Sequence, residues 1–135
     1  DMTCVTAINS ILDVDKSRKV LVFGTVSDPR LVAQTLSAGA VGYVTKRMSG
    51  DALTDAIVAA SRNEFSIDQY PAEDLLRELD RLALSDRLTA QELAVLRYAA
   101  KSSAGIDAVP PLKLPFSHGM RAALEVVSAH PAAVP

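Results

Sequence analysis

Two histidines, one cysteine and a scatter of lysines and arginines are the groups in this chain best suited to chemistry, and their spacing rules out most of it. Acid–base or nucleophilic catalysis needs a base within reach of a nucleophile. His118 and His130 both fall near the C-terminal end, where the sequence predicts little regular structure. One cysteine, Cys4, and two histidines twelve residues apart match no metal-ligand spacing. Neither a GxGxxG nor a P-loop is present, and Gly39 and Gly42 flank a strand rather than opening a phosphate-binding helix. The reading is therefore a protein that is not an enzyme and carries no metal, cofactor or small-molecule substrate. Two sets of residues remain: Thr25, Tyr43 and Lys46 around two short apolar runs, and Arg97, Lys101 and Arg121, cations that could meet phosphates.

The elements that must position these groups follow from the hydrophobic pattern. Val5, Ile8, Ile11 and Leu12 recur at helical spacing, and a polar connector follows. Val20 to Phe23 is a short continuous apolar run rich in β-branched residues, as in a strand buried on both faces of a parallel sheet. Asp28-Pro29 predicts a helix start, Leu31, Val32, Thr35 and Leu36 give its apolar stripe, and Gly39 closes it. A second strand is expected over residues 41–44, then a helix capped by Ser49 with Leu53, Ile57 and Val58 on its apolar side. Strand, helix, strand, helix predicts parallel strands joined by crossovers.

Past Asn63 the composition changes. NEFSIDQYP reads as a loop, and residues 72–84 as an amphipathic helix whose leucine stripe has nothing obvious in the chain to cover it. Thr89-x-x-Glu92 is a capping box opening the next helix. Gly105 and Pro110-Pro111 interrupt helical structure, Met120, Ala123, Leu124 and Val127 predict a short last helix, and HPAAVP a frayed tail. The fold class is α/β in the first half and α-helical afterwards.

The stretch VLVFGTVSDPRLVAQTLSAGAVGYVTKRMSGDALTDAI, with Ala38-Gly39-Ala40-Val41-Gly42-Tyr43 followed by Lys46, resembles the C-terminal half of a response-regulator receiver domain of the NarL/LuxR type, flavodoxin-like in fold. Leu88-Thr89-x-x-Glu92-x-x-Val95-Leu96 is similar to the opening of a LuxR-type helix-turn-helix. The resemblance implies a partial receiver-like domain over 1–66, a helical linker over 67–87 and an incomplete helix-turn-helix-like segment over 88–130. It implies that Lys46 stands where the family's phosphate-sensing lysine does, that Tyr43 is an aromatic of the output face, and that Thr25 is the nearest hydroxyl to the switch position, which Gly24 occupies.

The departures from the family are large. The acidic pair and the phosphoacceptor strand have no counterpart, so phosphorylation is not expected, and the place of the reading helix is taken by GIDAVPPLKLP. The expectation is a truncated or degenerate transcriptional regulator of a two-component system, cytoplasmic, in which DNA binding is coupled to receiver dimerisation. Its partners would be a second copy, other response regulators and, weakly, DNA through Arg97, Lys101 and Arg121. The alternative is a module that binds no DNA and pairs with full-length regulators through the face around Tyr43 and residues 50–62.

Composition is consistent with both readings. Of the 135 residues, 49% are hydrophobic and only 4% aromatic, which disfavours a base-stacking surface, and the net charge of −2 excludes a broadly cationic protein. From Ser85 onward five basic residues face four acidic ones, short of the roughly 6–10 phosphate contacts usual for a specific DNA binder. No apolar run suggests a membrane span.

Overall fold

The computed structural model describes residues 2–24, 28–47, 49–101 and 112–129. Helix α1 (Met2–Val14) leads into β1 (Leu21–Gly24), which pairs in parallel with β2 (Gly42–Thr45) in the register Val22↔Tyr43 and Phe23↔Val44. Between them runs α2 (Pro29–Ala38). Asp28 Oδ1 accepts the Arg30 N–H at 2.9 Å, and Gly39 closes the helix at φ 117°, a conformation glycine adopts without penalty. After β2, Ser49 Oγ accepts the Ala52 N–H at 3.1 Å and starts α3 (Gly50–Ser61). These starts and stops are the ones the sequence predicts.

The expected loop after Asn63 instead contains a third strand, β3 (Ser66–Ile67), parallel to β2, giving the order β1-β2-β3. Local propensity is too weak to announce two residues. Tertiary pairing makes the strand: the Ser66 N–H reaches Val41 O at 3.2 Å and the Asp68 N–H reaches Tyr43 O at 3.3 Å. Phe65 is buried and meets Phe116 edge-to-face at 4.9 Å, which holds the strand from its other end.

Helix α4 (Gln69–Arg81) begins three residues earlier than its leucine pattern suggests, and a 3-10 turn at Ser85–Arg87 separates it from α5 (Ala90–Lys101). Leu75 and Leu79 are fully buried, and α4 packs chiefly on α5, so the leucine stripe expected to lie open is covered from within the chain. Burial of each such leucine stabilises the fold by about 1.5–3 kcal/mol.

The last helix, α6 (His118–Ala129), is the one predicted from Met120, Ala123, Leu124 and Val127, all of which are buried, and it takes in His118 as its first residue. It lies along α2 in the most extensive helix–helix contact of the described structure. Arg30 Nε and Gln34 Nε2 of α2 each donate to Ser128 O at 3.3 Å, satisfying a carbonyl at the α6 C-terminus. Helix α2 is thereby enclosed by α1, α4, α6 and β2, and Val32 of its apolar stripe is buried. Ile57 and Val58, on the apolar side of α3, are exposed. One apolar cluster runs through the whole, from Ile8 and Val22 through Leu36 and Leu75 to Leu96 and Leu124.

Candidate functional site

In a parallel α/β sheet the strand carboxyl ends form the edge where ligands usually bind. Here that edge is built by Gly24, Thr45 and Lys46, and by Asp68 just after β3.

The register sends Val22, Tyr43 and Ile67 to one face of the sheet and Phe23 and Val44 to the other. Tyr43 therefore points into the core and is 1% exposed. The resemblance implies an aromatic of the output face; the ring lies inside the fold, which removes Tyr43 from the surface of the alternative interaction module. Burial, and then the negative fields of Cys4, Asp28 and Asp68, push the Tyr43 phenol above its ordinary pKa. A Cβ at Gly24 would stand 2.8 Å from the Tyr43 hydroxyl oxygen. The phenol thus fills the space a side chain would need where the resemblance implies a switch hydroxyl. Thr25 lies outside the described residues.

Lys46 is exposed, just beyond the ladder, its N–H donating to Gly24 O at 3.3 Å. Its neighbour Thr45 is buried and tied to Asp68: the Thr45 N–H and hydroxyl both donate to Asp68 Oδ2, at 2.9 and 2.6 Å. These two hydrogen bonds from one residue to one oxygen lock β2 to the start of α4. Asp68 Oδ1 is buried without a hydrogen-bond partner among the described residues. Next along the chain, the Arg47 guanidinium sits 4.6 Å from the centre of the Tyr70 ring. Asp68, Thr45 and Arg47 escape a reading of the sequence because Asp68 lies in a segment that looks like loop. The usable signal is the alternation Phe65-Ser66-Ile67 followed by Asp68, a strand end meeting a helix cap.

The cations expected to meet phosphates divide between two elements. Arg97 and Lys101 are exposed one turn apart on α5. Arg121 is on α6, where its Nη2 lies 3.3 Å from His118 Nδ1 and where it lines a cavity with the end of α2. The segment between α5 and Leu112, where a reading helix would fall, lies outside the described residues.

The capping box is present: the Thr89 N–H donates to Glu92 Oε1 at 2.9 Å, and the Glu92 N–H to Thr89 Oγ1 at 3.1 Å. The Glu92 carboxylate does more than cap α5. It is buried and also accepts from Ser117, whose own hydroxyl caps α6 by accepting the Met120 N–H at 3.1 Å.

Among the described residues no helix is long and apolar enough to cross a membrane, and no group of three or more His, Cys, Asp or Glu side chains converges as a metal site would. No protein-family description matches the chain, and no solved structure matches it. Among curated proteins it is 32% identical over 75 residues to the transcriptional regulatory protein DegU of Brevibacillus brevis, an alignment covering 56% of this chain and 32% of that protein. The chain spans about a third of the length of the relative it matches.

Proposed function

We propose that this chain acts as a response-regulator-like transcriptional regulator, a degenerate one in which residues 1–66 are a partial receiver, 67–87 a helical linker and 88–130 an incomplete LuxR-type helix-turn-helix. The observation that carries this reading is the order of the parts: a parallel strand–helix–strand unit ending in Lys46, then helices, then a capped α5 opening on Leu88-Thr89-x-x-Glu92. The alignment with a transcriptional regulatory protein supports the same class. No enzymatic step is assigned, and the setting is cytoplasmic.

Phosphate contacts fall to Arg97 and Lys101 on α5, with Arg121 as a third cation. Titrating a promoter duplex and a scrambled duplex at two salt concentrations tests the reading. Weak binding that falls steeply with salt and discriminates little is the expected result. A promoter bound more than about a thousandfold tighter than the scramble would show an intact reading element and end the degenerate reading. No binding to either duplex would remove DNA from the function.

In that last case the second reading stands, an interaction module pairing with a copy of itself or with full-length regulators. The exposure of Ile57 and Val58 on α3 favours it, while the burial of Tyr43 narrows its surface to α3.

A further inference from the structure

A cavity of about 290 Å³ opens between the C-terminal end of α2, the start of β2 and α6. It lies away from the sheet edge and uses none of that edge's residues. Its floor is apolar and buried, formed by Leu36, Ala40, Val41 and Phe116. One wall is held in place from both ends: the Leu114 N–H donates to Asn63 O at 2.9 Å and Asn63 Nδ2 to Leu114 O at 3.2 Å, while Lys113 pairs with Glu64 at 3.0 Å. A floor and wall fixed in this way belong to a preformed pocket near the lower end of the usual size range for small-molecule sites.

The mouth carries charge of both signs. Arg121 and Glu125 both line the cavity one turn apart on α6, yet no ion pair joins them to each other or to another described residue. The α2 C-terminus also ends here. The Gly39 N–H turns back to the Leu36 and Thr35 carbonyls and caps the helix, and Ser37 and Gly39 at this negative end of the α2 dipole line the cavity. Asn63 Nδ2 is already used, which leaves Oδ1 as a further acceptor on the wall. The pocket thus has one cationic donor, several acceptors and an apolar floor.

We propose that this cavity binds a small zwitterion with an apolar body, an amino acid with an aliphatic side chain being the simplest example. Its carboxylate meets the Arg121 guanidinium, its ammonium meets Glu125 and the α2 C-terminus, and its side chain covers Leu36 and Phe116. Arg121 and Glu125 are exposed, so substitutions there leave the core intact.

The test is an amide NMR titration of the full chain with L-norleucine, and with norleucinamide and N-acetylnorleucine, each lacking one charge. Saturable shifts at Gly39, Asn63 and Arg121 are expected with norleucine, weakened about tenfold or more by either analogue and by Arg121→Met or Glu125→Gln. Both variants should keep the wild-type unfolding midpoint. The absence of saturable shifts overturns the proposal. So does equal binding of all three compounds, which would mark an indiscriminate apolar hollow, and so does wild-type affinity in Arg121→Met.

Discussion

Glu92 and Ser117 join two helix starts through one carboxylate: Oε2 accepts the Ser117 N–H at 2.7 Å, and Oε1 accepts the Ser117 hydroxyl at 2.7 Å as well as the Thr89 N–H. Both helices direct their positive ends at the same buried anion. The arrangement fixes where α6 begins, and α6 in turn encloses α2.

Glu92→Gln should therefore destabilise the protein by about 2 kcal/mol, since it removes the charge and one acceptor from a buried network. Ser117→Ala should cost about 1 kcal/mol as a lost helix cap. In a double-mutant cycle read by urea unfolding, the two should couple by about 1 kcal/mol. Additive effects would show that the two caps act independently.

Stability should also depend on pH through Glu92. Burial raises the pKa of this carboxyl, but the hydrogen bonds from the Ser117 and Thr89 N–H groups and hydroxyls outweigh it and hold the pKa below the ordinary 4.5. A depressed folded pKa means that the contribution is fully present above the unfolded value. It is lost as pH falls below about 4.5 through the folded pKa. Unfolding midpoints measured from pH 7 to pH 3 should fall less steeply at the acid end in Glu92→Gln than in wild type.

Gly119 tests the seat of α6. A Cβ there would overlap the Arg87 carbonyl oxygen. Alanine favours a helix interior over glycine by about 1 kcal/mol, so a purely local view predicts that Gly119→Ala stabilises. The overlap is with backbone, and the expected outcome is a loss of about 1–3 kcal/mol, read as a lower urea midpoint.

At the sheet edge, acetyl phosphate with Mg²⁺, or the beryllofluoride mimic, should leave the amide signals of Gly24, Thr45 and Lys46 unchanged. Among the described residues the edge holds Lys46 and the carboxylate of Asp68, whose Oδ2 is taken up by Thr45, and the Tyr43 phenol fills the space beside Gly24. Specific shifts confined to that edge would show a working phosphoryl site.

Self-association, where it occurs, should run through α3. The apolar faces of α2 and α4 are covered within the chain, whereas Ile57 is 55% exposed. Ile57→Lys with Val58→Lys should weaken any dimer seen by analytical ultracentrifugation about tenfold or more, and Val126→Lys on α6 should not.

Local chemistry determined a good deal by itself. Asp28, Gly39, Ser49 and the Thr89–Glu92 pair mark helix ends because each satisfies orphan backbone groups within a few residues. The apolar runs around Val22 and Val44 mark parallel strands, but only β2 is buried on both faces; in β1 Phe23 is 47% exposed, because among the described residues no helix covers that side of the edge strand as one covers β2. Tertiary structure decided the rest. Ser66–Ile67 is a strand only because the β2 backbone lies beside it. Tyr43 is core rather than surface because its register with Val22 sets its face. Most of all, α6 on α2 and α5 on α4 close apolar faces that the sequence leaves open. A helical stripe states that a face must be covered; what covers it depends on contacts between residues as far apart as Arg30 and Ser128, which no local pattern encodes.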